Sequence, residues 1–471
     1  MAMTAIPMPR PSRTRASLVA LLAATMMLAM AVSPSQSAQA LTGTGTRLHD
    51  PSVIKVGTCY YGFSTGFEND AANPAGSVTI HKSCGSATGP WTKVGNTWSS
   101  TPAWITAALG STPPNIWAPD INYFNNKYYL YYSSAIWGHS DAVMGLMTAT
   151  NIEGPWMDQG MVTNVNYPID PTVDWGPDGR LYVTWGSFGG IYMHVLDTTT
   201  GKLSTTDHNL WNLATGMEGT SIVLNGGYYY LFGSKGSCCS GTSSTYYTAV
   251  GRSTSITGPY LDQNGTALTS SGGTAVLTGP NPKVAAGGGD FYDDGSNKYF
   301  AYHYYDANNA GRETLDIRQT TFSGGWPLLG APLGTSNVHL QNGNSGKCAD
   351  VWDLSTANQA AVNQGNCHSG TNQQWTLTSV GSNYQLVNVN SGKCLEMYGN
   401  STANSTPATQ YTCNGGTNQR WTKTAVIGGY VTFTNVNSGK CLEVYGNSTT
   451  NGAAMNQYTC NGGRNQQWMI G

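Results

Sequence analysis

Charged side chains are scarce in this chain, at 10% of residues with a formal net charge of -2. No basic patch is therefore available for a nucleic acid or an anionic lipid surface, and both are excluded as expected partners. Long apolar runs are missing too, with one exception, SLVALLAATMMLAMAV at residues 17–32. That run falls short of the roughly 20 residues a spanning helix needs. It follows Arg10, Arg13 and Arg15 and precedes Ala38-Gln39-Ala40, so residues 1–40 read as a secretion signal, with a membrane anchor as the alternative. No stretch sustains a 3.6-residue apolar period, which argues against a helical fold. The ten cysteines have no zinc-type arrangement with histidine, and in an exported chain they read as disulfides.

Glycine (59 residues) and aromatics (11%) are abundant. Short aromatic and β-branched runs bounded by Gly, Asn, Asp and Pro predict an all-β protein. A neutral, aromatic-rich surface suits sugars, whose apolar faces stack on rings. Five runs stand out: CYYGFSTG from Cys59, YYLYYSS from Tyr128, LYVTWGS from Leu181, YYYLFGS from Tyr228 and YFAYHYY from Tyr299. Each follows one carboxylate by 8 to 11 residues: Asp50, Asp120, Asp170, Glu218 and Asp290. A unit recurring every 50 to 70 residues or so has the length of a four-stranded propeller blade. The expectation is a five-bladed β-propeller whose inner strands aim five carboxylates at one channel. Converging carboxylates make glycoside hydrolysis the leading chemistry, because one protonated and one ionised carboxyl must flank the scissile bond. Asp-Pro is also a common turn dipeptide, so Asp50 and Asp170 could be turn residues; recurrence at similar offsets favours function.

The aromatic pattern ends at WPLLGAPLGTS, and the composition then shifts to Asn, Gln, Ser, Thr and Gly. NSGKCADVW, NSGKCLEMY and NSGKCLEVY begin at Asn344, Asn390 and Asn437, and each copy closes on NQQW or NQRW. The pairs Cys348/Cys367, Cys394/Cys413 and Cys441/Cys460 are each 19 residues apart, which implies one bridge within each copy. One unit is too small to bury a core, but three can share one around a threefold axis, so a β-trefoil is expected. The boundaries are 41–328 for the propeller, 329–336 for a linker and 337–471 for the trefoil. Cys59 with Cys84, and Cys238 with Cys239, can each be bonded or free.

The GKCL(D/E) opening, paired cysteines and N-Q-x-W ending resemble the ricin-type trefoil of family 13 carbohydrate-binding modules. That resemblance implies sugar sites at Asp350 and Asn372 in copy one, at Glu396, Tyr411 and Asn418 in copy two, and at Glu443, Tyr458 and Asn465 in copy three. Copy one has Gly365 where the others carry tyrosine, so its stacking platform is expected to be missing.

Residues 48–327 resemble glycoside hydrolase family 43, and within it the arabinan endo-1,5-α-L-arabinanases, through HDPSV, WAPDI, IDPTV, MEGTS, CCSGTSSTYYTAVGRS and YFAYHYYDA. The resemblance implies an inverting five-bladed enzyme with Asp50 as general base, Glu218 as general acid and Asp170 tuning that acid. Asp120 and Asp290 are left a structural task between blades. His303 matches a histidine that faces a calcium ion in the channel of similar enzymes, and no organic cofactor is implied. Trp117, Trp137, Ser187 and Phe188 are candidate subsite residues. Two departures lie near the cleft: Gly-Thr-Ser follows Glu218, and the glycine-rich GPNPKVAAGGGDF begins at Gly279. The expected activity is secreted, monomeric hydrolysis of α-1,5-linked L-arabinofuranosyl chains of plant polysaccharide. The alternatives are an exo-acting arabinofuranosidase or β-xylosidase, and a non-catalytic lectin.

Overall fold

The computed structural model describes residues 45–279, 282–295, 297–332, 337–368, 370–426 and 428–471. The expected signal at 1–40 and positions 333–336 of the expected linker lie outside the described residues.

Five antiparallel sheets follow one another along the chain, each built from consecutive strands. Blade I comprises Ser52–Val56, Cys59–Ser64, Thr79–Cys84 and Thr92–Asn96. Blade II comprises Trp117–Phe124, Lys127–Ala135, Ala142–Ala149 and Met157–Thr163. In blade III, Thr172–Trp175, Leu181–Ser187 and Gly190–Asp197 are followed by a split outer strand, Lys202–Leu203 and Trp211–Ala214. Blade IV is Glu218–Asn225, Tyr228–Lys235, Tyr247–Ser253 and Thr274–Thr278, and blade V is Lys283–Asp293, Lys298–Asp306, Arg312–Ser323 and Trp326–Pro332. The last strand runs to Pro332, past the propeller boundary expected at 328. The five aromatic runs are the second strands. Blades flank them on both faces, so they are buried almost continuously rather than in alternation, as in Lys127–Ala135.

The apolar core is divided among blade interfaces. Phe63 and Ile80 of blade I pack with Leu130 and Tyr132 of blade II, and Tyr131 and Leu146 of blade II with Val183 and Trp185 of blade III. The last interface closes the circle: Leu48, Val53 and Tyr60 meet Tyr292, Leu315 and Ile317 of blade V. Leu315 N–H also donates to Thr46 O, and Arg47 pairs with Glu313 at 3.1 Å. Among the described residues no strand is exchanged between the first and last blades, and side-chain burial and this short N-terminal segment close the ring.

A second ring of polar contacts runs near the axis. Ile121 N–H donates to Ser52 Oγ, Val173 N–H to Asp120 Oδ2, and Phe291 N–H to Ser221 Oγ. Thr172 Oγ1 donates to Thr220 O, and Ser52 and Ser221 both donate to Asp290 at 2.8 Å. Every blade is thereby tied to the next, through Asp120 and Asp290 among others. Buried polar groups are tolerated here because each finds a partner.

Residues 338–470 form one 12-stranded sheet system with three equivalent parts. Trp375, Trp421 and Trp468 are fully buried, and their indole N–H groups donate to Ala349, Leu395 and Leu442 O respectively. The bridges Cys348–Cys367, Cys394–Cys413 and Cys441–Cys460 are all formed, each within its own copy. Gln364, Gln410 and Gln457 lock the copies together. Each accepts from its own copy's serine hydroxyl (Ser345, Ser391 or Ser438) and donates to two carbonyls of another copy. Both open cysteine questions are answered by bonds, Cys59–Cys84 and Cys238–Cys239.

Candidate active site

The five inner strands carry equivalent tetrads, HDPS (49–52), WAPD (117–120), IDPT (169–172), EGTS (218–221) and GGGD (287–290), each with at least its fourth residue in the strand. The second residue of every tetrad is left-handed: Asp50 (φ 48°), Ala118 (36°), Asp170 (54°), Gly219 (55°) and Gly288 (54°). Three of these five are side chains that ordinarily avoid this region, a local cost of order 1–3 kcal/mol each that surrounding contacts must offset. The fourth residue of each tetrad belongs to the inter-blade ring described above.

This alignment corrects the even series of carboxylates expected from spacing. Asp50 and Asp170 occupy the second position, Glu218 the first, and Asp120 and Asp290 the fourth. The acids thus lie in two layers: Asp120 and Asp290 pair across the hairpin with Tyr131 and Ala301, as Ser52 and not Asp50 does with Phe63. A cavity of about 30 Å³ on the axis, room for a water molecule, is lined by Asp50 and Asp170 from one layer and Asp120 and Asp290 from the other.

Asp50 is gripped on one oxygen. His49 Nδ1 lies 2.7 Å from Oδ2, and Thr65 Oγ1 donates to the same atom at 2.8 Å. Its backbone N–H donates to His303 Nδ1 at 3.2 Å. Burial alone would raise this carboxyl, but the charge and hydrogen bond of His49, with His303 and Thr65, outweigh it and hold Asp50 down to about 2. Burial opposes protonation of His49, yet Asp50 wins and the ring is raised. His303 is fully buried and pushed down to about 3 by that burial and by His49.

Glu218 moves the opposite way. Burial raises it and the Asp50 charge adds to the rise, against hydrogen bonds from Tyr246 and Ser187. The Tyr246 hydroxyl donates to Oε1, and Ser187 Oγ donates to Oε2 at 2.9 Å. Asp170 accepts Gly219 N–H at 2.9 Å, one residue on from Glu218. Burial, then the charges of Glu218 and Asp50, push it well above the carboxylate range. Gly288 is required here: a Cβ would stand 2.4 Å from Asp50 Oδ1 and 2.7 Å from His303 Cε1. The glycine-rich segment that departs from similar enzymes therefore makes the close approach of blade V possible.

The expected subsite residues divide. Ser187 is committed to Glu218. Trp137 is 71% exposed and meets Trp117 edge-on with ring centroids 6.2 Å apart, while Phe188 is 41% exposed. Sequence reasoning missed Tyr246, His49, Thr65 and Tyr305 as individual residues. Tyr246 stood in the quoted STYYTAV block and His49 beside Asp50, but neither showed which carboxylate it would serve.

The description "Glycosyl hydrolases family 43" matches residues 44–327. The chain belongs to this family. A Bacillus subtilis relative named extracellular endo-alpha-(1->5)-L-arabinanase 1 is 35% identical, over 59% of this chain and 87% of its own length. An exo-1,5-alpha-L-arabinanase structure from a bovine ruminal metagenomic library is 32% identical with TM-score 0.55, covering 61% of this chain and 98% of its own. A Cellvibrio cellulosa alpha-L-arabinanase complexed with arabinohexaose is 27% identical with TM-score 0.55, covering 60% and 96%. The description "Ricin-type beta-trefoil lectin domain-like" matches residues 325–411, 381–453 and 417–471.

In this family 43 chain the trefoil acids are all buried and all face their closing motif. Asp350 accepts from Asn372 and Gln373, Glu396 from Asn418 and Gln419, and Glu443 from Asn465 and Gln466. Tyr411 and Tyr458 pair in register with Cys394 and Cys441, as Gly365 does with Cys348. A pocket of about 580 Å³ opens in copy one, lined by Asp350, Trp352, Gly365, His368 and Asn372 among others. Trp352, 38% exposed, gives that pocket an aromatic wall in spite of Gly365.

Proposed function

We propose that this chain is a secreted inverting hydrolase of α-1,5-linked L-arabinofuranosyl chains, with Asp50 as general base, Glu218 as general acid and Asp170 as the residue that keeps the acid protonated. The observation that carries this reading is the opposite tuning of Asp50 and Glu218. A base must be ionised and an acid protonated at one pH, and their surroundings drive them apart in that sense. In the reaction, Asp50 takes a proton from water as its oxygen attacks the anomeric carbon. Glu218 gives its proton to the departing sugar oxygen, and the configuration inverts. An inverting pair stands about 6.5–9.5 Å apart to admit that water. Asp170, held by Gly219 N–H, and Glu218 each oppose ionisation of the other, so the two carboxyls do not both carry charge.

His303 fits the calcium expected in the channel in one respect. Its Nε2 is buried without a hydrogen-bond partner among the described residues, and His49, Asp50 and His303 offer ligand atoms within 4.8 Å of one another. Calcium prefers oxygen, so His303 would hold such an ion with water completing the shell, and the ion would supply positive charge near the carboxylates.

The extracellular naming of the Bacillus subtilis relative, the five disulfides and the leader pattern support export. The trefoil would hold the enzyme on polysaccharide through Asp350 and Asn372, Glu396, Tyr411 and Asn418, and Glu443, Tyr458 and Asn465, raising local substrate concentration. A chromatogram of early products from linear arabinan tests the endo reading: mixed oligosaccharides are expected, and arabinose alone would replace it with chain-end attack. NMR of the first product should show the β-anomer.

A further inference from the structure

The loop at 236–246, between two strands of blade IV, carries the bonded neighbours Cys238 and Cys239. Its last residue, Tyr246, donates to Glu218; the cysteine pair has no part in the reaction derived above, yet it reaches the base. Cys239, left-handed at φ 67°, donates its backbone N–H to the Tyr305 hydroxyl at 2.7 Å. That hydroxyl lies 3.1 Å from His49 Nε2, and His49 Nδ1 lies 2.7 Å from Asp50 Oδ2. Tyr305 is 1% exposed, and Cys238 packs against the cluster of Tyr305, Tyr246 and Ala285.

The order of donors follows from elementary chemistry. A backbone amide can only donate, so it occupies a lone pair on the tyrosine oxygen and leaves the O–H free to donate to Nε2. A neutral His49 ring then carries its proton on Nδ1, and a protonated ring carries one there as well, so Nδ1–H faces Asp50 in either state. With Thr65 on the same carboxylate oxygen, Oδ2 is held on two sides and Oδ1 is left to take a proton. A covalent bond between adjacent residues restricts the backbone at the amide that starts this chain.

We propose that the Cys238–Cys239 loop positions the Asp50 carboxylate through the Tyr305 hydroxyl and the His49 ring, which makes Tyr305 and His49 positioning residues. This rests on the reading of Asp50 as the base. The test compares Tyr305→Phe, Cys238→Ser/Cys239→Ser and Asp50→Ala in the full chain on linear arabinan, with and without sodium azide, a nucleophile that needs no base. Tyr305→Phe should lose kcat by up to about 100-fold with KM unchanged. Azide should restore much of that loss and yield an inverted glycosyl azide, and the double cysteine variant should lose kcat in the same direction but less. Wild-type rates in both variants beside an inactive Asp50→Ala would overturn the relay. So would a Tyr305→Phe loss that azide does not repair, since that points to damaged packing. An Asp50→Ala enzyme with wild-type turnover would instead remove the base assignment itself.

Discussion

In the trefoil, Gln364, Gln410 and Gln457 make the same two inter-copy bonds three times, and all three copies bind an acid to the Asn and Gln of the closing motif. In the propeller, the equivalent ring position is filled by Ser52, Asp120, Thr172, Ser221 and Asp290, and the left-handed position by Asp50, Ala118, Asp170, Gly219 and Gly288. Both regions close a ring by linking each repeat to another. One keeps its side chains alike, which suits repeated weak binding. The other keeps only the backbone alike, and that freedom allows the left-handed position to carry a carboxylate in two blades, a methyl group in one and only a hydrogen atom in the other two.

The sharpest way to break this contrast is to remove a residue that occurs once. Glu218→Gln should lower kcat on arabinan by about 10²–10⁴-fold while retention on insoluble arabinan stays unchanged; parallel loss of both would show that the two regions are not separable. Gly288→Ala adds a Cβ 2.4 Å from Asp50 Oδ1 at a φ of +54°, and kcat should fall by about 100-fold. The rings themselves come next. Alanine at Gln364, Gln410 or Gln457 should each cost about 1–3 kcal/mol in denaturant unfolding of the trefoil, by equal amounts in the three copies. Ser52→Ala and Thr172→Val should differ from one another, because Ser52 serves both Ile121 N–H and Asp290 whereas Thr172 serves one carbonyl. Among binding sites, Asp350→Ala, Glu396→Ala and Glu443→Ala should each weaken retention less than about 10-fold, and the triple variant should abolish it.

The smallest effect concerns pH. With Asp50 as the proposed base and Glu218 as the proposed acid, kcat/KM should rise as pH climbs past the Asp50 value of about 2 and fall once pH passes the raised value of Glu218. The Ser187 hydrogen bond favours the charged acid. Ser187→Ala should therefore raise the acid further and move the alkaline limb to higher pH; a shift downward would contradict the assignment.

Much of this was legible in the residues. The GKC and NQxW repeats carried the trefoil and its three bridges, because threefold repetition leaves few other pairings. The aromatic runs located the second strand of every blade, since a strand flanked on both faces must be apolar throughout. The tetrads were also present in the string: Pro51, Pro119 and Pro171 follow the left-handed residue directly. Spacing from the aromatic runs hid that alignment, since the start of an aromatic run does not mark a fixed register, whereas Ser52, Asp120 and Asp290 pair with Phe63, Tyr131 and Ala301 across their hairpins.

Sequence alone determined the repeat count of both regions and the pairing of six cysteines, because each is written in local pattern or motif. Only the tertiary structure decided which acids share a layer, that Tyr246 serves Glu218 while Tyr305 and His49 serve Asp50, and that Gly288 must lack a side chain. Those facts depend on closing the ring of blades, which brings Asp50 against residues more than 200 positions away that no local pattern in the chain can connect.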